Sequence, residues 1–255
     1  MHIKAVRFKE NQQTHYPYYL PFFGKTINFT SNVTILVGDN GCGKSTFLKL
    51  LKNHLGLYQI GEAVKKSSQA LLEVSVALKK PKGYYFSSED FTMYINQLEE
   101  NKKESHEALD EIETVYKNRS IFAKNLASMP HKRTLAEIDA LHDKDLSLAS
   151  HGESYLSFFK SRLKANQLML LDEPETPLSF HHQLSLLYLL HEAVKDNCQI
   201  IIATHSPIIM AYPNAQILKF EEGHIEAVTY ESLESVQLLK RFLDHPDIFI
   251  KRLFE

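Results

Sequence analysis

The sequence has few cysteines and no surplus of charge of either sign. Its 255 residues include only two cysteines, Cys42 and Cys198, which have neither the spacing of a metal site nor a pairing pattern. So little cysteine is typical of proteins from a reducing compartment. The formal net charge of −2 indicates neither an acidic nor a basic partner. A disulfide framework and a strongly basic chain are therefore excluded, whereas a local basic patch is not.

Long apolar segments are also absent. The two longest, "SLLYLLHEAV" and "QIIIATHSPIIM", are interrupted by polar residues and are shorter than a membrane span. The opening residues, "MHIKAVRFKENQQ", are charged and lack the apolar stretch of a signal peptide. We therefore expect a soluble, cytoplasmic protein with no membrane insertion. Because no repeat, low-complexity tract or linker interrupts the chain, we expect a single domain over residues 1–255.

Strand-like and helix-like segments alternate along the chain, which favours an α/β fold with a mainly parallel sheet. Buried apolar runs typical of strands are "VTILV", "LMLL" and "QIIIA". The segments "ALLEVSVALKK" and "GYYFSS" are predicted to pair around the turn "KPKG". Over approximately residues 91–165, Glu, Lys, Asn and Leu recur with helical spacing, which predicts a helical subdomain inserted into the core.

The segment "GDNGCGKST", residues 38–46, matches the phosphate-binding pattern G-x-x-x-x-G-K-[ST]. Its glycines allow successive N–H groups to point at phosphate oxygens, and the following helix N-terminus adds positive charge. Lys44 would reach the β- and γ-phosphates of ATP, and Ser45 would supply a hydroxyl to Mg²⁺. A chance match in a glycine-rich turn is disfavoured because the pattern lies between a strand and a helix. The predicted nucleotide-binding residues are Gly38, Asp39, Asn40, Gly41, Cys42, Gly43, Lys44, Ser45 and Thr46.

Two further apolar strands end in residues suited to phosphate chemistry. "LMLLDEPE" places Asp172 at a strand end to hold Mg²⁺, and Glu173 next to it to polarise an attacking water. "IIIATHSP" places His205 where the chain leaves the sheet, within reach of a γ-phosphate. Ligands of open α/β sheets bind at the carboxyl ends of strands, so these residues should lie together. The plainer interpretations are that Asp172 and Glu173 begin an acidic turn and that His205 is an ordinary surface histidine.

The segment "ASHGES" before the helical run "YLSFFKSRLK" has two interpretations. Ser150 and Glu153 have the spacing of a capping box, in which they would satisfy the first N–H groups of their own helix. Alternatively, Ser150 and Gly152 would contact the γ-phosphate that a second copy of the chain holds. The two interpretations are compatible, because the motif can cap its helix when no phosphate is bound.

The order of these motifs resembles the ATP-binding-cassette (ABC) ATPase superfamily, with "GDNGCGKST" as Walker A, "ASHGES" as signature, "LMLLDEPE" as Walker B and "ATHS" as the switch histidine. The motif "DEPE" and the opening strand look more like the branch of DNA-repair and SMC-type heads and stand-alone bacterial ATPases. The resemblance implies a P-loop NTPase core that binds ATP and Mg²⁺. It also implies a head-to-tail homodimer in which each Walker A faces the partner's signature.

Several positions depart from the family pattern. Ala149, His151 and Glu153 replace the Leu, Gly and Gln of an LSGGQ-like signature, and Ser179 stands where an aspartate is expected after Walker B. The expected glutamine after "GYYFSS" is missing, and Ser88 or Glu89 stands nearest to its place. The aromatic residue that stacks on adenine is left open among Tyr16, Tyr18, Tyr19, Phe22 and Phe23, which equally suit a core lip.

The leading hypothesis is an ATPase in which ATP-driven dimer closure is transmitted to a protein effector encoded nearby, in nucleic-acid maintenance or bacterial defence by family analogy. The alternatives are the nucleotide-binding subunit of a membrane transporter and an ATP-dependent scaffold that recruits an effector. The missing glutamine disfavours the first alternative, and the complete catalytic set disfavours the second. Nucleic acid is left open as a partner because the basic clusters at 79–82, 131–133 and 160–164 also suit a solvated surface.

Overall fold

The computed structural model describes residues 1–9, 16–59, 72–76, 81–141, 151–221 and 223–254. The chain divides into two compact units, one formed by residues 1–88 with 163–255 and the other by residues 89–162. The first unit contains both sheets, and the second is helical.

Ten strands occur in the described residues: β1 (Ile3–Phe8), β2 (Thr26–Asn28), β3 (Val33–Val37), β4 (Tyr58–Gln59), β5 (Leu72–Val76), β6 (Gly83–Ser87), β7 (Leu168–Asp172), β8 (Gln199–Ala203), β9 (Gln216–Glu221) and β10 (His224–Val228). The eight helices there are α1 (Lys44–Leu55), α2 (Ser88–Val115), α3 (Ile121–Leu141), α4 (His151–Arg162), α5 (Phe180–Lys195), α6 (Pro207–Met210), α7 (Glu234–Asp244) and α8 (Pro246–Phe254). A short 3₁₀ helix, Tyr230–Ser232, precedes α7.

The larger sheet has seven strands in the order β10-β9-β3-β8-β7-β6-β4. All its neighbouring strands are parallel except the β9–β10 hairpin, so the predicted α/β fold with a mainly parallel sheet is confirmed. The central strands β3, β7 and β8 are buried along their whole length, as their continuous apolar runs predicted. Their carboxyl ends meet at one edge, where Asp172 is in register with Ala203.

The predicted pairing of β5 with β6 is wrong. β5 lies beside β1 in a separate antiparallel sheet of order β2-β1-β5, whereas β6 lies between β4 and β7 in the larger sheet. The two strands differ in burial: only Leu72 of β5 is buried, whereas four of the five residues of β6 are buried. Gly83 permits the position of β6, because a Cβ there would lie 1.8 Å from the Leu168 carbonyl oxygen.

The core beneath the phosphate-binding loop is rich in phenylalanine. Phe8, Phe22, Phe47 and Phe220 come from four distant parts of the chain, and each is at most 1% exposed. The rings of Phe8 and Phe22 lie 4.5 Å apart, and Phe47 and Phe220 meet edge to face at 5.8 Å. Phe47 also contacts Phe8, with ring centroids 5.3 Å apart, so these rings join α1 to β1 and β9 and fix the start of α1 above the sheet.

In the helical unit, Phe91 of α2 contacts Tyr155 and Phe158 of α4, with ring centroids 4.8 and 4.7 Å apart. Many residues of α2 and α3 are exposed, and ion pairs such as Lys124–Glu113 join the two helices. None of the helices in the described ranges combines the length and the hydropathy that a bilayer crossing requires.

Candidate nucleotide-binding site

The phosphate-binding loop connects the end of β3 to the start of α1. Gly38, Gly41 and Gly43 have φ values of 140°, 82° and 103°, which side chains rarely permit. A Cβ on Gly38 would also lie 2.3 Å from the Phe220 carbonyl oxygen. The loop therefore needs its glycines both for its backbone conformation and for its close approach to β9.

Lys44 is 6% exposed, and its ammonium group lies inside the loop. It donates hydrogen bonds to the carbonyl oxygens of Gly38, at 2.8 Å, and Asp39, at 3.0 Å. Asp39, Asn40 and Gly41 form the exposed turn of the loop. A buried cation surrounded by turned backbone is the arrangement that binds a polyphosphate.

Ser45 and Asp172 bring two oxygen groups together from different elements. The Ser45 hydroxyl donates to Oδ1 of Asp172 at 2.9 Å, and the Tyr85 hydroxyl donates to Oδ2 at 2.9 Å. Burial raises the pKa of Asp172 above its ordinary value of 3.8, while these two hydrogen bonds lower it. A hydroxyl and a carboxylate are the oxygen ligands that Mg²⁺ prefers, so this pair has the chemistry to hold the cation.

Glu173 and His205 lie at the ends of β7 and β8. Oε1 of Glu173 is 3.8 Å from Nε2 of His205, and the two side chains are 44% and 42% exposed. Glu173 has a φ of 47°, a left-handed conformation uncommon for a side-chain-bearing residue. Its N–H donates to the Ala203 carbonyl at 2.8 Å, which fixes the unusual turn against β8. The carboxylate and the imidazole are therefore both accessible to solvent at the carboxyl edge of the sheet.

Glu175, two residues beyond, is buried and contacts the segment that carries His205. Its Oε1 accepts hydrogen bonds from the Thr204 hydroxyl at 2.5 Å and from the backbone N–H groups of His205 and Ser206 at 3.0 and 3.2 Å. Burial raises the pKa of Glu175 above its ordinary value of 4.5, and these three hydrogen bonds partly offset the rise. We did not predict a role for this residue from the sequence.

The aromatic segment before β2 is divided between core and surface. Phe22 is fully buried in the phenylalanine core, whereas Tyr16 and Tyr19 are 59% and 63% exposed. The Tyr16 hydroxyl shares a hydrogen bond of 2.8 Å with the Thr46 hydroxyl, at the first turn of α1. Among the five aromatic candidates, Tyr16 is thus exposed and hydrogen-bonded to the helix that follows the phosphate-binding loop.

An open cavity of about 880 Å³ lies beside the loop. It is lined by residues 38–42, by Tyr19 and His205, and by Lys219 and Glu221 of β9. Its volume lies in the upper part of the range typical of small-molecule sites.

The signature segment is only partly described. Ala149 and Ser150 lie outside the described residues, and α4 begins at His151 with Gly152 buried in its first turn. Ser88 is buried at the start of α2, whereas Glu89 is exposed there. Ser179 accepts a hydrogen bond from His182 N–H at 3.4 Å, so it caps α5.

A family model described as ABC transporter matches residues 26–176. The chain belongs to this family. The matched segment is more than half of the chain and includes the phosphate-binding loop, Asp172 and Glu173. The resemblance to ABC ATPases is therefore confirmed, and this ABC protein is an ATPase that binds ATP.

Curated relatives align over most of their length. The "Hemin import ATP-binding protein HmuV" of Aliivibrio fischeri is 24% identical over 85% of this chain and 84% of its own. An "Uncharacterized ABC transporter ATP-binding protein" of Haemophilus influenzae is 28% identical over 90% and 89%. The solved structure of cbiO1 from Clostridium perfringens, "Part of the ABC transporter complex cbiONQ", covers 97% of this chain and 98% of its own, at 19% identity and a TM-score of 0.51. That structure supports the ABC ATPase fold.

Proposed function

We propose that this ABC ATPase hydrolyses MgATP between two copies of the chain arranged head to tail. The observation that carries the proposal is the convergence of three strand ends, which bring Lys44, Ser45, Asp172, Glu173 and His205 to one edge of the sheet. A complete set of phosphate, metal and water-activating groups at one edge favours hydrolysis over binding alone.

The loop and Lys44 would bind the phosphates of ATP. The Lys44 ammonium donates hydrogen bonds to two loop carbonyls, and it would donate to the β- and γ-phosphate oxygens of ATP instead. Tyr16, which is exposed and hydrogen-bonded to Thr46, is the candidate residue to stack on adenine. Ser45 and Asp172 would hold Mg²⁺, which neutralises negative charge on the phosphates.

Glu173 would act as the general base. Its carboxylate is half-exposed at the strand edge, so a water molecule can reach it, and it would accept a proton from that water as the water attacks the γ-phosphate. His205, 3.8 Å from that carboxylate, would donate a hydrogen bond to the γ-phosphate and so help to orient it.

Ser150 and Gly152 of the second copy would complete each site. Gly152 lies in the first turn of α4, where the helix dipole favours an anion. Glu153 in the same turn would then have to face away from the phosphate, because two negative groups repel. Each copy would thus supply one half of each site.

The test is a Glu173→Gln variant in saturating MgATP. Removal of the base should stop hydrolysis and leave ATP bound, so the variant should elute as a dimer in size-exclusion chromatography with light scattering. Glu192→Gln is the matched control, because Glu192 is a half-exposed carboxylate of α5 paired with Lys195. If the Glu173 variant binds ATP yet stays monomeric at micromolar concentration, the head-to-tail mechanism is wrong.

The comparisons favour a second candidate, the nucleotide-binding subunit of a membrane transporter. The relatives are named as import ATP-binding proteins and as ABC transporter components. Against it, Ser88 and Glu89 stand where the family pattern has a glutamine after β6, the residue that normally meets the membrane subunit. Tagged protein that stays with salt-washed membranes in its native host would favour the transporter. ATP-dependent, salt-sensitive binding to duplex DNA would favour nucleic-acid maintenance.

A further inference from the structure

The second glutamate of "DEPE" has a position that the proposed chemistry does not use. Glu175 is 8% exposed, whereas the side chains of Glu173 and His205 are 44% and 42% exposed. Its carboxylate is therefore shielded from solvent at the carboxyl edge of the sheet, where ATP would bind. Among the described residues, its Oε2 has no hydrogen-bond partner, and its Oε1 accepts three hydrogen bonds.

All three donors belong to the segment that carries the candidate switch histidine. They are the Thr204 hydroxyl, the backbone N–H of His205 itself and the N–H of Ser206. The Thr204 hydroxyl also accepts from Ser206 N–H at 3.0 Å. The carboxylate thus contacts the backbone on both sides of the histidine side chain, and it fixes the direction in which that side chain leaves the chain.

Further hydrogen bonds hold the chain at both ends of this connection. On one side, Glu175 lies in a turn closed by hydrogen bonds from Thr176 N–H to the Glu173 carbonyl and from Leu178 N–H to the Glu175 carbonyl, at 3.2 and 2.8 Å. On the other side, the Ser206 hydroxyl caps α6 and donates to Oε1 of Gln183 at 2.6 Å. A displacement of Glu175 would therefore be transmitted to the histidine segment.

We propose that Glu175 is a positioning residue that holds His205 beside Glu173 for hydrolysis. This inference rests on the role proposed above for His205. The carboxylate of Glu175 acts through the backbone of the histidine segment and does not touch ATP. ATP binding by the P-loop does not depend on it, because Lys44 and Ser45 are held by other partners.

Two variants separate this role from a general structural one. Glu175→Ala removes the acceptor of all three hydrogen bonds, whereas Glu175→Gln keeps an oxygen at the Oε1 position. We expect Glu175→Ala to lower kcat about 10- to 100-fold with little change in KM for ATP, since displacements near 1 Å have effects of that size. Glu175→Gln should stay within about 10-fold of the wild type. Glu192→Gln, outside the network, should be unchanged.

The deciding measurement is a double-mutant cycle with His205→Ala. If Glu175 acts through the histidine, Glu175→Ala should reduce kcat of the His205→Ala enzyme by less than about twofold. If the fold-losses in kcat of the two single variants instead multiply in the double variant, the inference is overturned, whereas the role proposed for His205 stands. If His205→Ala alone retains wild-type kcat, the role proposed for His205 fails, and the inference fails with it. Equal losses in the Ala and Gln variants of Glu175 also overturn it.

Hydrogen exchange provides a readout that does not depend on activity. Glu175→Ala should speed exchange of the His205 and Ser206 amides, whereas the amides of α1 should be unaffected. Unchanged exchange at residues 205 and 206 overturns the positioning role proposed for Glu175. Should Glu175→Ala not fold, Thr204→Val removes one of the three donors with little change of volume. It should give a smaller loss of kcat that again disappears in the His205→Ala background.

Discussion

Removal of the Tyr85 hydroxyl should weaken both the fold and the magnesium site. Tyr85 is fully buried on β6, and its hydroxyl donates to Oδ2 of Asp172 at 2.9 Å. Tyr85→Phe leaves Oδ1 bonded to Ser45 but removes the donor to the other carboxylate oxygen. Because Asp172 is only 6% exposed, water would not readily replace that donor.

The size of the effect follows from the burial of the acceptor. A hydrogen bond to a charged group contributes about 1.5–3 kcal/mol, so the free energy of unfolding should fall by about that amount. For a chain of this size, the melting temperature should fall by about 3 to 12 °C. The pKa of Asp172 should also rise further, because the hydrogen bond from Tyr85 lowers it. The Mg²⁺ concentration for half-maximal ATPase activity should then rise about 10-fold or more, as it does when a residue that orients a metal ligand is lost.

Circular dichroism on heating and a Mg²⁺ titration of phosphate release measure the two effects separately. Tyr188→Phe is the control, because this tyrosine is 64% exposed on α5 and should change neither quantity. An unchanged melting temperature together with an unchanged Mg²⁺ requirement would refute the reasoning. It would mean that the hydroxyl of Tyr85 neither stabilises Asp172 nor orients it.

Three further predictions concern the fold and the buried carboxylate. Ser179→Ala should lower the free energy of unfolding by about 1 kcal/mol in urea titrations, since it removes the N-cap of α5; a Ser179→Asp variant, which can cap, should not. Gly83→Ala should cost more than the roughly 1–3 kcal/mol of ordinary overpacking, because its Cβ would meet the Leu168 carbonyl at 1.8 Å; an unchanged melting temperature would contradict the close packing of β6 on β7. Burial raises the pKa of Glu175, so the folded state binds the proton more tightly than the unfolded chain. The stability that this group contributes is therefore complete below pH 4.5 and is lost as the pH rises through the folded-state pKa. Glu175→Gln cannot ionise, so it should gain stability relative to the wild type as the pH rises through that window, and a constant difference would contradict the sign.

Local motifs made the phosphate-binding loop predictable from the sequence. Its glycines, Lys44 and Ser45 are adjacent in the chain, and the strand before them and the helix after them occur as expected. The central strands were predictable for a similar reason, because a strand buried on both faces must be apolar throughout. In both cases, the information lies within a few consecutive residues.

The pairing of β5 with β6 was predicted wrongly because the deciding information is not local. Two strand-like segments separated by a turn sequence favour a hairpin, but burial on both faces assigns β6 to the parallel sheet. The contacts of Tyr85 with Asp172 and of Thr204 with Glu175 were equally inaccessible to prediction, since Tyr85 precedes Asp172 by 87 residues and Thr204 follows Glu175 by 29. Only the strand order, which brings β6, β7 and β8 side by side, makes these contacts necessary.

The groups proposed for ATP binding and those proposed for hydrolysis differ in how far apart they lie in the sequence. The groups proposed to bind phosphate come from one continuous loop, whose conformation depends on its own glycines and on the core beneath it. The groups proposed to hydrolyse it, Glu173 and His205, come from two strands and are joined by the register of β7 with β8 and by the Glu175 carboxylate. A small shift between these strands would change the distance between base and histidine and leave the loop intact. In the proposed mechanism, such a shift would therefore lower turnover more than it lowers affinity for ATP.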